Sequence, residues 1–256
     1  MTMPPGLAVA TADGTATVTI ANPARRNAMT PAMWAALPGL LAPLAADPAV
    51  RVLVLTGAGD TFCAGADISG FTDAAGLREA QEAAVAAEEA LAAFPKPTLA
   101  AVRGYCVGGG CQLAVACDLR FAAEGALFGV TPARLGIVYP ASSTRRLVRL
   151  AGPATAKHLL FSAELIDHER ALRTGLVDEV CPADRLAKRV RAYADLLASR
   201  SRLTQYAAKE FAADSPGPGR EAHWAAQAAG SPDPLEGATA FLTRRTPHFT
   251  WTPPGT

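Results

Sequence analysis

The chain has almost no excess charge: 24 Lys and Arg stand against 23 Asp and Glu, leaving a formal net charge of +1. So small a balance gives no global field to hold nucleic acid or an anionic membrane, although a local basic patch for a phosphorylated ligand stays open. Nowhere do about 18 uncharged apolar residues run together, which excludes an ordinary transmembrane helix. The N-terminus MTMPPGLAVA lacks the basic start and long apolar core of a signal peptide. Cysteine is scarce and odd in number (Cys63, Cys106, Cys111, Cys117, Cys181), with no CxxC pair. That excludes the usual zinc and thioredoxin-like spacings and reads as reduced, mostly buried thiols in a cytoplasmic protein. The four histidines (His158, His168, His223, His248) are scattered without ligand spacing, so no metal is expected. GxxxxGK[ST], HExxH and GxSxG are all absent, and GAGDTF fails the dinucleotide fingerprint at its last position.

What is present is a half-apolar chain of 256 residues, enough for a sizeable core. The β-type runs LAVATA and TATVTI meet at Asp13-Gly14, a dipeptide suited to a tight hairpin turn. A helix is expected from about Pro31 to Ala46, with Thr30 as cap and Pro31 at its first position. VRVLVLTG then reads as a buried strand. A loop at Ala58 to Phe71, a long helix at about Ala75 to Phe94, the strand PTLAAVRG, a glycine loop, a short helix and the strand LRFAA follow. Such alternation of strand, loop and helix means an α/β fold. Beyond about Val190 only helical segments remain, broken at SPGPG (Ser215 to Gly219) and SPDP (Ser231 to Pro234). The last carries the signs of a capping box, with Asp233 as cap, Pro234 next and Glu236 three residues on. The expected division is a core over residues 1–190 and a helical region over 191–256 that docks on a neighbouring subunit.

Two glycine-containing loops each follow a strand: TFCAGADISGF (Thr61 to Phe71) and GYCVGGGCQ (Gly104 to Gln112). Each can present a bare backbone N–H, and the second opens a helix whose first amides lack internal partners. Two convergent backbone donors make an oxyanion hole, and a tight turn with glycine at positive φ is the competing explanation for either loop alone.

RRNAM, FCAGADISGF, GYCVGGGCQLAVACDLRFA, FGVTPARLGIVYPASSTRRL and EGATAFLTRRTPHF occur in the order and spacing of the enoyl-CoA hydratase/isomerase (crotonase) superfamily, which the chain resembles over nearly its whole length. The resemblance implies a spiral of repeated ββα units with a C-terminal helical region, assembled as trimers or dimers of trimers and acting on acyl-CoA thioesters. It implies that the N–H groups of Ala66 and Gly109 hold the thioester oxygen as it becomes an enolate. No resident cofactor is implied, CoA being part of the substrate. For CoA the resemblance points to Arg25 and Arg26 near the phosphates, whose forked donors suit that task. Ala64, Ala66, Asp67 and Ile68 fall along the adenine and pantetheine path, with Phe241 and Arg244 at the nucleotide end, often from a neighbouring subunit.

The proton-handling positions depart from the family. Hydratases carry two glutamates that place and deprotonate water, and here the matching positions are Gln112 and Pro132. Neither residue is an acid or base. Gln112 is either a pocket-facing hydrogen-bonding group or a structural link to a carbonyl. Tyr139, in LGIVYP, resembles a tyrosine of family members that decarboxylate malonyl-type thioesters, and is either the proton donor or a packed phenol. Thr131 is a further polar candidate, Asp67 is expected to order its loop, and the cysteines are read as buried filler. Arg134, Arg145 and Arg146 are read as solvated surface. The expectation is a lyase or isomerase of this family, decarboxylation leading and isomerisation next. The alternative is a non-catalytic acyl-CoA-binding homologue.

Overall fold

The computed structural model describes residues 5–69, 73–213 and 217–253; the expected Gly70 and Phe71 end of the first glycine loop and Ser215-Pro216 of SPGPG lie outside them. The chain opens with the hairpin β1 (Gly6–Ala12) and β2 (Thr15–Ala21), paired antiparallel from Gly6 with Ala21 to Ala12 with Thr15. Its two turn residues have positive φ, Asp13 at 49° and Gly14 at 77°, the conformation that makes Asp-Gly a hairpin turn.

α1 (Pro31–Ala46) starts as the sequence suggests: Thr30 Oγ1 accepts from the Met33 N–H at 3.3 Å. β3 (Val52–Gly57), α2 (Ala74–Ala92), β4 (Thr98–Val102), β5 (Tyr105–Val107), α3 (Gly109–Ala116), β6 (Leu119–Ala123), β7 (Leu127–Gly129) and α4 (Ala141–Ser162) follow. β2, β3, β4 and β6 run parallel in one sheet, which β9 (Glu179–Cys181) extends in the order β1-β2-β3-β4-β6-β9. Each turn of the spiral leaves this sheet and makes a second, shorter contact before its helix. Cys63 bridges Cys106 in parallel, β5 pairs β7 in parallel, and β7 pairs antiparallel with β8 (Ile166–Asp167). This is the repeated ββα arrangement.

The inner strands β3, β4 and β6 of the main sheet are covered on both faces, which is why they read as near-continuous apolar runs, whereas the edge strand β1 is largely exposed. Leu53, Leu55, Ala100, Val102 and Ala122 pack into the larger core with Trp34, Leu37 and Leu91. The alternate residues Val52, Val54, Leu99, Ala101 and Phe121 pack with Leu186, Val190 and Ala194 of α6 (Leu186–Ala198). Period-two alternation therefore sorts one strand set into two cores. α5 (His168–Arg173) lies between β8 and β9.

Only helices follow α6 among the described residues: α7 (Arg202–Phe211), α8 (Arg220–Ala229) and α9 (Asp233–Thr243). The expected capping box on α9 does not form. Asp233 is already helical, and the cap residue is Pro232, with no side-chain capping bond. The Asp233 carboxylate is buried and accepts instead from Ser201 Oγ at 2.8 Å, Thr250 N at 2.9 Å and Trp251 N at 3.2 Å. Glu236 accepts from Arg245 and from the His248 N–H. Three outside donors thus compete successfully for a carboxylate whose sequence position suggests a cap. Trp224 and Trp251 pack against each other with tilted rings, centroids 5.9 Å apart.

Candidate active site

The two glycine loops meet because the RRNAM segment clamps the first of them. Met29 N donates to Gly65 O and Asp67 N to Met29 O, both at 2.8 Å, while Ala64 N donates to Arg26 O at 3.0 Å. In this bridge the Gly65 carbonyl and the Asp67 N–H face Met29, so the Ala66 N–H, trans to that carbonyl, points the other way and has no acceptor among the described residues. Gly109 is the first residue of α3, where an amide has no intrahelical partner. Its N–H also lacks an acceptor among the described residues.

The three adjacent glycines have three separate reasons. Gly108 has φ of +54°, so it sits in the left-handed region that favours glycine. A methyl on Gly109 would stand 2.7 Å from the Trp34 ring and 3.4 Å from the Ala66 nitrogen. One on Gly110 would stand 2.2 Å from the Cys63 carbonyl oxygen. Close approach of the loops, with glycine at each contact, brings the Ala66 and Gly109 amides side by side.

They open into a cavity of about 740 Å³ bounded by α2, α3, the loops and the segment from Thr131 to Pro140. Ala64, Ala66, Ile68, Gly109, Gln112, Thr131 and Tyr139 all line it, as do Trp34 and Pro132. The lining is mostly apolar, and its one carboxylate among the described residues is Glu82, exposed on α2. Arg25 and Arg26 lie on the exposed turn beside the first loop, Arg26 stacking over Tyr105 at 5.0 Å from the ring centre. Asp67 accepts from Ser69 N at 3.0 Å and Ser69 Oγ at 2.7 Å. These bonds, with Arg25 nearby, hold its carboxyl below the usual range. Phe241 and Arg244 are exposed on and just after α9 and do not line the cavity of their own chain.

Behind the cavity wall lies a residue that sequence reasoning missed. Glu88, on α2, is fully buried. Its Oε2 accepts from Gln112 Nε2 at 2.9 Å and from Ser143 Oγ, and its Oε1 accepts from Arg146 Nη1. Arg146 also grips Glu89, at 2.8 Å. Arg146 is therefore not the solvated surface group expected: only 18% of its side chain is exposed. Burial alone would lower its pKa, but the bonds to Glu89 and Glu88 outweigh that and raise it. Burying a carboxylate is costly without donors, and three donors from α3 and α4 supply them. The signal in the sequence was periodicity, because Ala80, Ala87, Glu88 and Leu91 share the buried face of α2.

Tyr139 is half-buried against the core and within hydrogen-bonding reach of Ser143. Burial first, then the neighbouring Cys111 and Glu88, push its phenol well above the ordinary tyrosine range. It is therefore a protonated phenol at neutral pH. Cys63, Cys106, Cys111 and Cys117 are buried free thiols. Burial pushes Cys63 and Cys117 up to about 12, which keeps them from thiolate chemistry. No three His, Cys, Asp or Glu side chains among the described residues group to hold a metal ion. No helix among those residues is long and apolar enough to cross a membrane.

Comparison with known proteins agrees with this geometry. Residues 10–251 match the family model described as enoyl-CoA hydratase/isomerase. A crotonyl-CoA hydratase of Syntrophomonas wolfei is 38% identical over 213 residues, covering 79% of this chain and 82% of that protein. A 2,3-dehydroadipyl-CoA hydratase of Escherichia coli is 36% identical over 241 residues, covering 91% and 93%. The crystal structure of an enoyl-CoA hydratase/isomerase family member superposes with a TM-score of 0.90 at 39% identity, covering 99% of both chains. With the spiral fold, the paired loops and these similarities in hand, the chain belongs to the enoyl-CoA hydratase/isomerase family.

Proposed function

We propose that this enzyme binds an acyl-CoA thioester and stabilises its enolate with the N–H groups of Ala66 and Gly109, in a lyase or isomerase reaction distinct from ordinary hydration. One observation carries the reading: two unpartnered amides open together into an apolar cavity whose wall includes Gln112 and Pro132, the two positions to which the sequence resemblance assigns the hydratase glutamates. Each fixed donor aimed at developing charge in such a site is worth roughly 3 kcal/mol. Water addition needs an acid and a base, and neither residue is one.

Decarboxylation of a malonyl-type thioester needs no base. The bond from the α-carbon to the carboxylate breaks, CO2 leaves, and the electron pair passes into the enolate held by the two amides. A proton then returns to the α-carbon from the Tyr139 phenol or from water, and the phenolate recovers its proton from solvent. Tyr139 supports this role by its place, since its phenol lines the cavity and carries a proton at neutral pH as tyrosines ordinarily do. Shifting a double bond through the same enolate is the next choice. Arg25, Arg26, Asp67 and Ile68 would accompany the CoA moiety. Phe241 and Arg244 would reach the nucleotide end from a neighbouring subunit of a homotrimer or dimer of trimers, in the cytoplasm and without a resident cofactor.

Hydration is the second reading, favoured by the names of the relatives. Mass spectrometry of crotonyl-CoA and of malonyl-type thioesters incubated with the purified protein separates the two. Loss of CO2 from the malonyl-type thioester, slowed about tenfold or more in Tyr139→Phe, is the expected result. Catalytic gain of water on crotonyl-CoA would overturn the proposal in favour of hydration. Saturable binding without turnover of any of them would identify a non-catalytic acyl-CoA-binding protein.

A further inference from the structure

A glutamine amide can show either a donor or an acceptor to a ligand, unless its surroundings choose for it. At Gln112 they do. Nε2 faces α2, where it meets two acceptors, Glu88 Oε2 at 2.9 Å and Ala84 O at 3.4 Å. A carboxylate that already accepts from Ser143 and Arg146 takes another donor there, not the amide oxygen. Gln112 Oε1 has no partner among the described residues, nor is it one of their buried unpartnered atoms. It is therefore the face of the amide turned to the cavity that Gln112 lines. Gln112 follows Gly109 by three residues on α3, so the two share a helix face and are separated by about 4.5 Å along the axis.

We infer that Glu88 is a positioning residue which sets the polarity of the cavity wall. By holding Gln112 with its carbonyl oxygen outward, it makes this wall of the pocket select a hydrogen-bond donor near the thioester and turn the carboxylate of a malonyl-type substrate, which only accepts, toward another wall. The donor meets an oriented acceptor one helical turn from the amide that would hold the thioester oxygen. An acyl chain without a donor leaves that oxygen desolvated and unpaired, which is where discrimination arises. This inference rests on the acyl-CoA reading of the cavity.

The test is calorimetric titration of the full chain with butyryl-CoA and with 3-hydroxybutyryl-CoA, reading the ratio of the two dissociation constants so that effects common to both ligands cancel. The parent protein should prefer the hydroxylated ligand by about tenfold. Gln112→Met, similar in size but without the acceptor, should bring the ratio to about one. Glu88→Gln, which pairs with the amide in either orientation, should reduce the preference to about threefold or less. Equal binding of the two ligands by the parent, or a Glu88→Gln protein that keeps the parent's ratio, overturns the inference. If neither ligand binds the parent, the acyl-CoA reading fails, and this inference with it. Should Glu88→Gln fail to fold, the side-chain amide protons of Gln112 in the parent, followed by NMR, decide. Slow exchange of both protons is expected, and one exchanging at the rate of a solvent-facing amide would overturn the orientation.

Discussion

Single residues at this site are fixed by clearances of a few ångströms. Gly110 is the sharpest case, because a methyl there would stand 2.2 Å from the Cys63 carbonyl oxygen and 2.9 Å from the Cys63 side chain. Both neighbours belong to a buried bridge between the spiral turns, so neither has a flexible end that can move aside. Gly110→Ala should cost about 3 kcal/mol, at the upper end of overpacking effects, and chemical denaturation will measure it. Glu88 was hidden from sequence reading for a related reason. Adjacent acids such as Glu88 and Glu89 look alike in a helix, yet one is fully buried and the other half-solvated. Helical period separates the faces, but only the packed structure supplies the donors that allow an acid on the inner one.

At the scale of elements, the C-terminal helices are joined by polar clips as much as by apolar packing. Glu210 on α7 accepts from the Arg220 guanidinium and, at 2.8 Å, from Trp224 Nε1, both on α8. The Arg220 bonds and then that of Trp224 depress the Glu210 carboxyl to about 2, against an ordinary 4.5. A depressed carboxyl contributes stability above its unfolded value and loses it as pH falls through the folded one. The α7–α8 contact should therefore hold at pH 6 and loosen as pH drops from about 4.5 towards 2. The fluorescence of Trp224, compared with that of a Glu210→Gln protein, reports it. The contact is partly solvent-exposed, so the effect should be local and weakened by salt. The Asp233 clip shows what the sequence leaves open at this scale. Its Ser201 partner is 32 residues away and its Thr250 partner 17, beyond the reach of any capping pattern.

For the whole molecule, α9 presents large apolar side chains outward: Leu235, Phe241 and Leu242 are 75%, 84% and 79% exposed. Clustered exposure of this kind marks an association surface, in keeping with the homotrimer proposed above. Sedimentation analysis should give a species of three or six copies, and Leu235→Asp combined with Leu242→Asp should dissociate it. A parent protein that sediments as a monomer at micromolar concentration would remove the proposed oligomer. By itself the sequence determined what local chemistry encodes. It set the hairpin at Asp13-Gly14, the capped start of α1, the alternation of strands and helices and the glycine loops. Tertiary structure alone decided which groups meet across the spiral. Glu88 lies 24 residues from Gln112 and 55 from Ser143, and local patterns specify which face of an element is buried without specifying what it meets there. The orientation of the Gln112 amide, and with it the polarity of the cavity, exists only once α2, α3 and α4 are packed together.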